Sequence, residues 1–386
     1  MVPATIMIAS SSHPWDDPRI LYRQALSLAK VYRVELHAVA PFREKWYQGI
    51  RVVGLPARGR WLRPLQWLTL GKRALRSRAR LFHFHDPDLL PLAMFLRLCG
   101  RQTVYDVHEA VPEDISAKAW LPSFLRPLTR GLYRLTVAAA QPGLGAIVTA
   151  SSAIAGAYRH PRLVVIQNHP PLEMFAASNG SRPAYRQGQT LRLIYSGSLQ
   201  PSRGIREILA ACGHLPESFD YHLDIIGKES ALALYGDDIR PRTEPLASRV
   251  TFHGWLQLPE VVDRLRQAHL GLVCTLPNAA DPLGSPLKLF EYMAAGLGLV
   301  VSDIPQWRPW TEGYAACARV DAARPEAIAA GILQVAGILS RNGHQTGLEE
   351  AGAVEVGALQ SRFSWQRQER RLLDLYTQLL PKGNAA

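Results

Sequence analysis

The chain has 386 residues, 47% of them hydrophobic and 20% charged, and 44 Lys+Arg against 32 Asp+Glu give a formal net charge of +12. At roughly 100–200 residues per domain this length suits about two domains, and the composition excludes a disordered, collagen-like or coiled-coil chain. Four cysteines, Cys99, Cys212, Cys274 and Cys317, form no CxxC pair, which argues against a disulfide framework or a cysteine zinc site and fits a reducing compartment.

The chain opens on MVPATIMIAS, which has no basic n-region, so Ile6, Met7 and Ile8 read as a first strand over 4–9 and not as an export signal. In SSHPWDDPRILYRQALSLA (10–29), Asp17 and Pro18 form an N-cap and N1 pair. They predict a helix with Ile20, Leu21, Ala25 and Leu28 on its buried side. Further strands are expected at 34–40, 81–86, 103–109, 146–151 and 163–168, each ending in polar residues. Between them, residues 41–80 carry eleven basic residues against Glu44 alone, interleaved with Trp46, Trp61, Leu62, Leu65, Trp67, Leu68 and Leu70. Tryptophan and leucine beside arginine suit an interfacial helix at an anionic membrane better than a nucleic-acid surface. Residues 120–135, WLPSFLRPLTRGLYRL, repeat that recipe. No run of about 18 apolar residues is present, the best candidate near 135–150 being broken by Gln141, Pro142 and Gly143.

Domains are expected at 1–172 and 191–362, joined by a linker over 173–190 rich in Ser, Asn, Gly and Pro. The strand–helix alternation restarts at 191–198 and continues at 221–227, 250–254, 270–275 and 297–303, with a closing helix near 364–380. Residues 1–188 hold 25 basic and 11 acidic residues and the remainder 19 and 21, so the positive excess belongs to the first half. The class is α/β, with two doubly wound parallel sheets whose ligand sites lie beyond the strands' carboxyl ends.

Candidate site residues cluster in three places. In SPLKLFEYMAAGLGLVVSD (285–303), Ser285 and Pro286 predict a helix start suited to an anion. Lys288 there is placed to meet phosphate oxygens, and Glu291, on the same helix face, to accept the hydroxyls of a ribose diol. In YSGSLQPSRGIREILAA (195–211), a strand leaves through Gly197 and enters a helix after Arg203 and Gly204. Small residues there let amides approach a phosphate that the Arg203 fork can grip. The turn does not match GxGxxG, which argues against an NAD or FAD enzyme. His83 and His85 share one strand face by the two-residue period. A metal site built on them with Asp86 would lack its remaining ligands, and His85 reads better as the wall of a cleft.

These segments, in this order, resemble the retaining family 4 glycosyltransferases (glycosyl transferases group 1) of the GT-B fold. FHDPDLLPLA, YDVHEAVPE, IVTASSAIAGAY, VIQNHPP, LDIIGKES, VTFHGWL and FSWQRQE complete the match over nearly the whole chain. The resemblance implies two Rossmann-like domains facing across a cleft, the first binding the acceptor and the second the sugar nucleotide, with residues 363–386 crossing back to the first. It implies catalytic roles for His108, Arg203 and Lys288. The implied donor site comprises Gly197, Arg203, Gly227, Gly254, Ser285, Lys288, Leu289 and Glu291, Glu291 matching the second glutamate of an E-x7-E motif. Asp17, Arg19, His85, His108 and Glu109 fall on the acceptor side. No metal or other cofactor is expected. Leu283 stands where the first glutamate of that motif would be, Ser198 where a basic residue is usual, and Gly298 where a proline is usual.

The implied function is transfer of a sugar, of hexosyl type, from a nucleoside diphosphate sugar to a hydroxyl with retention, in surface polysaccharide or glycolipid synthesis. The acceptor is expected to be lipid-linked or a saccharide. The protein is expected in the cytoplasm, peripheral at the anionic inner face of a membrane, with no nucleic-acid partner. Two other readings remain open at this level: a non-catalytic GT-B-like subunit that binds a sugar nucleotide or a partner enzyme, and a sugar-nucleotide epimerase.

Overall fold

The structure is a computed structural model that describes residues 3–59, 62–107, 122–175, 184–237, 239–240, 246–276, 287–341 and 363–380. The chain divides into two compact units, Met1–Asn168 with Trp365–Ala386, and His169–Ser364. Residues 169–172, assigned to the first domain on sequence grounds, therefore belong to unit 2.

Unit 1 opens with β1 (Thr5–Pro14), whose residues Ile6–Ser10 are all fully buried, as a central strand covered on both faces requires. The chain then turns at Asp17, whose carboxylate accepts from the amides of Arg19 (2.8 Å) and Ile20 (3.0 Å). This cap starts α1, a wide π-type helix over Pro18–Ala25 that tightens into α-helix over Leu26–Ala29. There follow β2 (Arg33–Val39), β3 (Glu44–Tyr47), β4 (Ile50–Leu55), α2 (Pro64–Arg76), β5 (Ala79–Phe84), α3 (Leu90–Leu98), β6 (Gln102–Val107), α4 (Arg126–Ala140), β7 (Ala146–Thr149) and β8 (Leu163–Val165). The basic stretch expected to be an interfacial helix is thus partly sheet. Trp46 lies on β3, which pairs antiparallel to β4 across the two-residue turn Gln48-Gly49. Both turn residues have positive φ, 46° and 81°, the backbone such a hairpin turn needs.

The eight-stranded sheet has the order β3-β4-β2-β1-β5-β6-β7-β8 and is parallel apart from β3. The crossovers from β4 to β5, β5 to β6 and β6 to β7 all run in one direction across the sheet. Their right-handedness places α2, α3 and α4 on one face, and the opposite step from β1 to β2 places α1 on the other. Leu70 and Ala74 of α2, Leu92 and Leu96 of α3, and Val137 and Ala140 of α4 accordingly share one core with Met7, Phe82, Phe84 and Tyr105.

Unit 2 contains β9 (Leu191–Ser196), α5 (Ile205–Cys212), β10 (Tyr221–Ile226), β11 (Val250–Gly254), α6 (Leu258–Gln267), β12 (Leu270–Val273), α7 (Leu287–Ala294), β13 (Gly298–Ser302), β14 (Cys317–Val320) and α8 (Pro325–Arg341). Its six strands run in the order β11-β10-β9-β12-β13-β14, every neighbouring pair parallel. The closing helix α9 (Trp365–Leu379) buries Trp365, Gln368, Leu372, Leu375, Tyr376 and Leu379 in unit 1. Trp365 Nε1 donates to Ser27 Oγ (2.8 Å), Lys30 meets Glu369 (2.7 Å), and Tyr376 Oη lies 2.5 Å from His83 Nδ1.

Candidate active site

The strand order of unit 2 reverses between β9 and β12, and the crevice beyond the carboxyl ends of strands at such a reversal is where an open parallel sheet receives its ligand. Gly197, the first residue past β9, has φ +135°, and a Cβ there would overlap Lys288 Cε. Its amide donates to Ile226 O (2.8 Å), which ties the ends of β9 and β10 together. The chain then makes a short 3-10 turn over Pro201–Arg203 and passes through Gly204 at φ +70° into α5. A Cβ on Gly204 would collide with Cys274 O, just past β12. This close approach seats Arg203 at the reversal point.

Lys288, in the first turn of α7, reaches the same place from the other side. Its Nζ donates to Tyr195 Oη at 2.7 Å and stands 4.1 Å from the centroid of that ring. Tyr195 Oη in turn donates to Ser198 O (2.5 Å). Burial first, and the nearby charge of Arg203 second, push the Lys288 ammonium down from 10.5 to about 7, with Glu291 opposing the shift. Burial likewise drives the Tyr195 hydroxyl well up. One turn along α7, Tyr292 Oη accepts the Ser196 amide (2.8 Å). Two tyrosines thus fasten α7 to β9. Arg203 and Lys288 bring two cationic side chains together in a desolvated corner, where an anion stabilises the charged lysine and gains from the low dielectric.

The other expected donor residues divide. Gly227 and Gly254 are joined by the Gly227 amide donating to Gly254 O (2.9 Å), and Lys228 Nζ lies 4.8 Å from the ring centroid of the exposed Trp255. Glu291 is buried on α7. The Leu289 side chain is fully buried in the core, so it packs in the interior. Ser285 and Leu283 lie outside the described residues, as do His108 and Glu109.

On unit 1, Asp17 spends its carboxylate on the cap of α1. Arg19 and His85, expected on the acceptor side, are buried instead. The Arg19 guanidinium donates Nε and Nη2 to the two oxygens of Asp106 (2.8 and 2.7 Å), and Nη1 donates to Ile166 O (3.0 Å) and to Asn168 Oδ1. Gln24 Nε2 donates to Asp106 (2.7 Å), and His85 Nδ1 lies 3.1 Å from it with its ring stacked on His83 at 4.6 Å. Burial alone would raise the Asp106 carboxyl, but Arg19 and His85 hold it well below the usual carboxylate range. The fully buried charge on β6 accounts for the placement of Arg19 and His85, since such a charge must be paired. His83, His85 and Asp106 also bring three metal-ligand atoms within 4.8 Å of one another. The Arg19 fork already supplies the positive charge that a metal would bring to that carboxylate.

Asp86, weighed on sequence grounds only as a metal ligand beside His83 and His85, organises the carboxyl-terminal half of β1. It accepts from Ser10 Oγ (2.6 Å), the Ser11 amide (2.8 Å) and Ser12 Oγ, and lies 3.2 Å from His13 Nδ1. Against the upward push of burial, His13 and the serines lower its pKa. Its signal in the sequence was the run of serines at one strand end and an aspartate at the next. Tyr195 and Tyr292 were also missed. Tyr292 stands one turn beyond Lys288 and bonds the end of β9, and Tyr195 stands two residues before Gly197 with its ring beside the lysine.

Residues 190–337 match the glycosyl transferases group 1 family. No curated protein matches the sequence. Among solved structures, sucrose-phosphate synthase from Thermosynechococcus elongatus superposes with a TM-score of 0.67 at 15% identity, over 98% of this chain and 99% of that one. HepE of Anabaena in complex with UDP-glucose does so at 0.64 and 14%, over 97% and 100%. A glycosyltransferase from Rickettsia africae gives 0.63 and 11%, over 99% and 100%. The likeness in fold runs the length of the chain, and the family match falls on the unit that holds Arg203 and Lys288, so the protein has a GT-B fold whose residues 190–337 match the glycosyl transferases group 1 family.

Proposed function

We propose that the protein transfers a hexosyl group from a nucleoside diphosphate sugar to a hydroxyl with retention at the anomeric carbon. The observation that carries this reading is the pair of cationic side chains, Arg203 and the half-buried Lys288, gathered at the strand-order reversal of unit 2 beside Gly197. In this reading both receive the donor diphosphate and stabilise the charge that grows on it as the sugar departs, as preorganised donors do in a water-poor site. The diphosphate leaves from the face the acceptor attacks, and its oxygen takes the acceptor proton, so no protein base and no metal is required. Glu291 accepts the ribose hydroxyls, and Gly227, Gly254 and Trp255 border the base. His108 is assigned to the sugar and acceptor side by its place in the sequence motif.

The acceptor is proposed to be a lipid-linked or saccharide hydroxyl in surface polysaccharide or glycolipid synthesis, met at the inner face of a membrane. No helix among the described residues is long and apolar enough to cross one, so contact would be peripheral. HepE holds UDP-glucose, which makes UDP-sugars the first donors to test. In a thermal-shift panel of UDP, GDP, ADP, CDP and dTDP with their sugars, one base should raise the melting temperature selectively. Saturation at 100 times the dissociation constant corresponds to ~2.7 kcal/mol. Arg203→Ala should abolish both that shift and transfer while the melting temperature of the free protein holds. Retained transfer would remove Arg203 from the diphosphate site.

A further inference from the structure

Among the described residues, eleven of the sixteen exposed large hydrophobic side chains fall between positions 62 and 135, all in unit 1. They stand mainly on α2, α3 and α4, the three helices that cover one face of the unit 1 sheet. On α4, the inward side is Tyr133, Val137 and Ala140, whereas Leu128, Leu132 and Leu135 follow the i, i+4, i+7 stripe opposite and are 69%, 62% and 68% exposed. On α3, Leu92, Ala93 and Leu96 pack inward and Phe95 and Leu98 point out, Leu98 at 88% exposure. On α2, Leu70 and Ala74 pack inward, and Leu65 and Leu68 point out on the same side as the exposed cations Lys72 and Arg76. Each helix buries its own apolar stripe and then carries a second one outward, which packing onto the sheet does not require.

The charge beside this face has one sign. α2, α3 and α4 contain no acidic residue, and Lys72, Arg76, Arg97 and Arg134 are exposed on them. We infer that the outward face of α2, α3 and α4 seats unit 1 on an anionic lipid surface, with Leu65, Leu68, Phe95, Leu98, Leu128 and Leu132 entering the headgroup–acyl boundary and the cations meeting lipid phosphates. Two copies of this face would repel each other through their like charge, which disfavours a homodimer. Leucine and phenylalanine have no use against a phosphate backbone, which disfavours nucleic acid. A bilayer satisfies both the apolar side chains and the cations at once. The inference deepens the membrane placement in the proposed function and does not depend on the transfer chemistry.

The test is flotation of the full chain with phosphatidylglycerol–phosphatidylcholine vesicles and with phosphatidylcholine vesicles alone, alongside the nucleotide thermal-shift panel. The wild type should float with the anionic vesicles, less so at high salt. Leu68→Glu, Leu128→Glu and Leu132→Glu combined should abolish flotation with the melting temperature and the nucleotide shift unchanged, because all three side chains are already exposed. Replacing Lys72 and Arg76 by Gln should weaken partition by about fivefold per charge. Leu234→Glu, at an equally exposed leucine of unit 2, should change nothing. Absence of flotation by the wild type, or flotation of the triple variant equal to it, would overturn the inference whatever the nucleotide panel shows. A dimer, or a complex with a soluble acidic polypeptide, that the triple variant loses in the absence of vesicle binding would overturn it too, and would assign the face to a protein.

Discussion

Each unit draws a charged group out of water near the carboxyl ends of its strands, Asp106 fully and Lys288 in part, and the two resolve that in opposite ways. In unit 1, Asp106 is enclosed by Arg19, Gln24 and His85, so its charge is answered within the fold. In unit 2, Lys288 donates to the neutral hydroxyl of Tyr195 and has Arg203 as a neighbour, so its own ionisation gives way. The first arrangement is complete and braces the structure. The second is eased by the arrival of an anion, and it is the one at the strand-order reversal.

Substitutions should separate the two. Arg19→Met leaves Asp106 charged and buried without its guanidinium and should remove ~3–5 kcal/mol of stability. The melting temperature should fall by roughly 2–4 °C per kcal/mol, and Arg19→Met with Asp106→Leu should recover much of the loss. Lys288→Ala should do the reverse, holding or raising the melting temperature because the cost of desolvating the lysine goes with it, and lowering transfer by about 10²–10³-fold, the usual result of deleting one preorganised donor. If Lys288→Ala instead unfolds the protein while Arg19→Met leaves it stable, the contrast between the two sites is wrong.

The pH dependence sharpens the same point. Because the folded-state lysine titrates near 7, below its ordinary 10.5, donor binding should take up a proton above pH 7, and the dissociation constant should rise by up to about tenfold per pH unit there. Lys288→Ala should flatten that profile. The folded state also binds fewer protons than the unfolded one between pH 7 and 10.5, so the penalty for burying Lys288 is full below 7 and fades as pH rises through that window. Titration calorimetry in buffers of different ionisation enthalpy measures the proton uptake directly. The smallest effect belongs to α9: Trp365→Phe loses the hydrogen bond to Ser27 and should lower stability by ~1 kcal/mol in a chemical denaturation curve.

The helix start at Asp17-Pro18 and the inner strands were readable because caps and continuous apolar runs are local signals. The hairpin β3–β4 was not, since Trp46 and its charged neighbours sit on an edge strand where no apolar alternation is enforced. Gly197 with Arg203, and Lys288 with Glu291, were legible as two local pairs because each lies within one short segment, and only the family resemblance joined the two pairs into one expected site. Arg19 and His85 were misplaced for a different reason. Each lies at a polar strand or helix end, as a ligand contact does, and only Asp106, 87 residues from Arg19, shows that they serve the interior.

By itself the sequence determined the alternation of strands and helices, the unequal charge of its two halves and the residues that end each strand, because these follow from local periodicity and composition. The tertiary structure decided which polar ends are spent on one another and which stay poised for a ligand, and which apolar stripes are buried and which remain outside. Those outcomes depend on neighbours brought together by crossovers, and burial fixes the ionisation of a group only once its surroundings are complete.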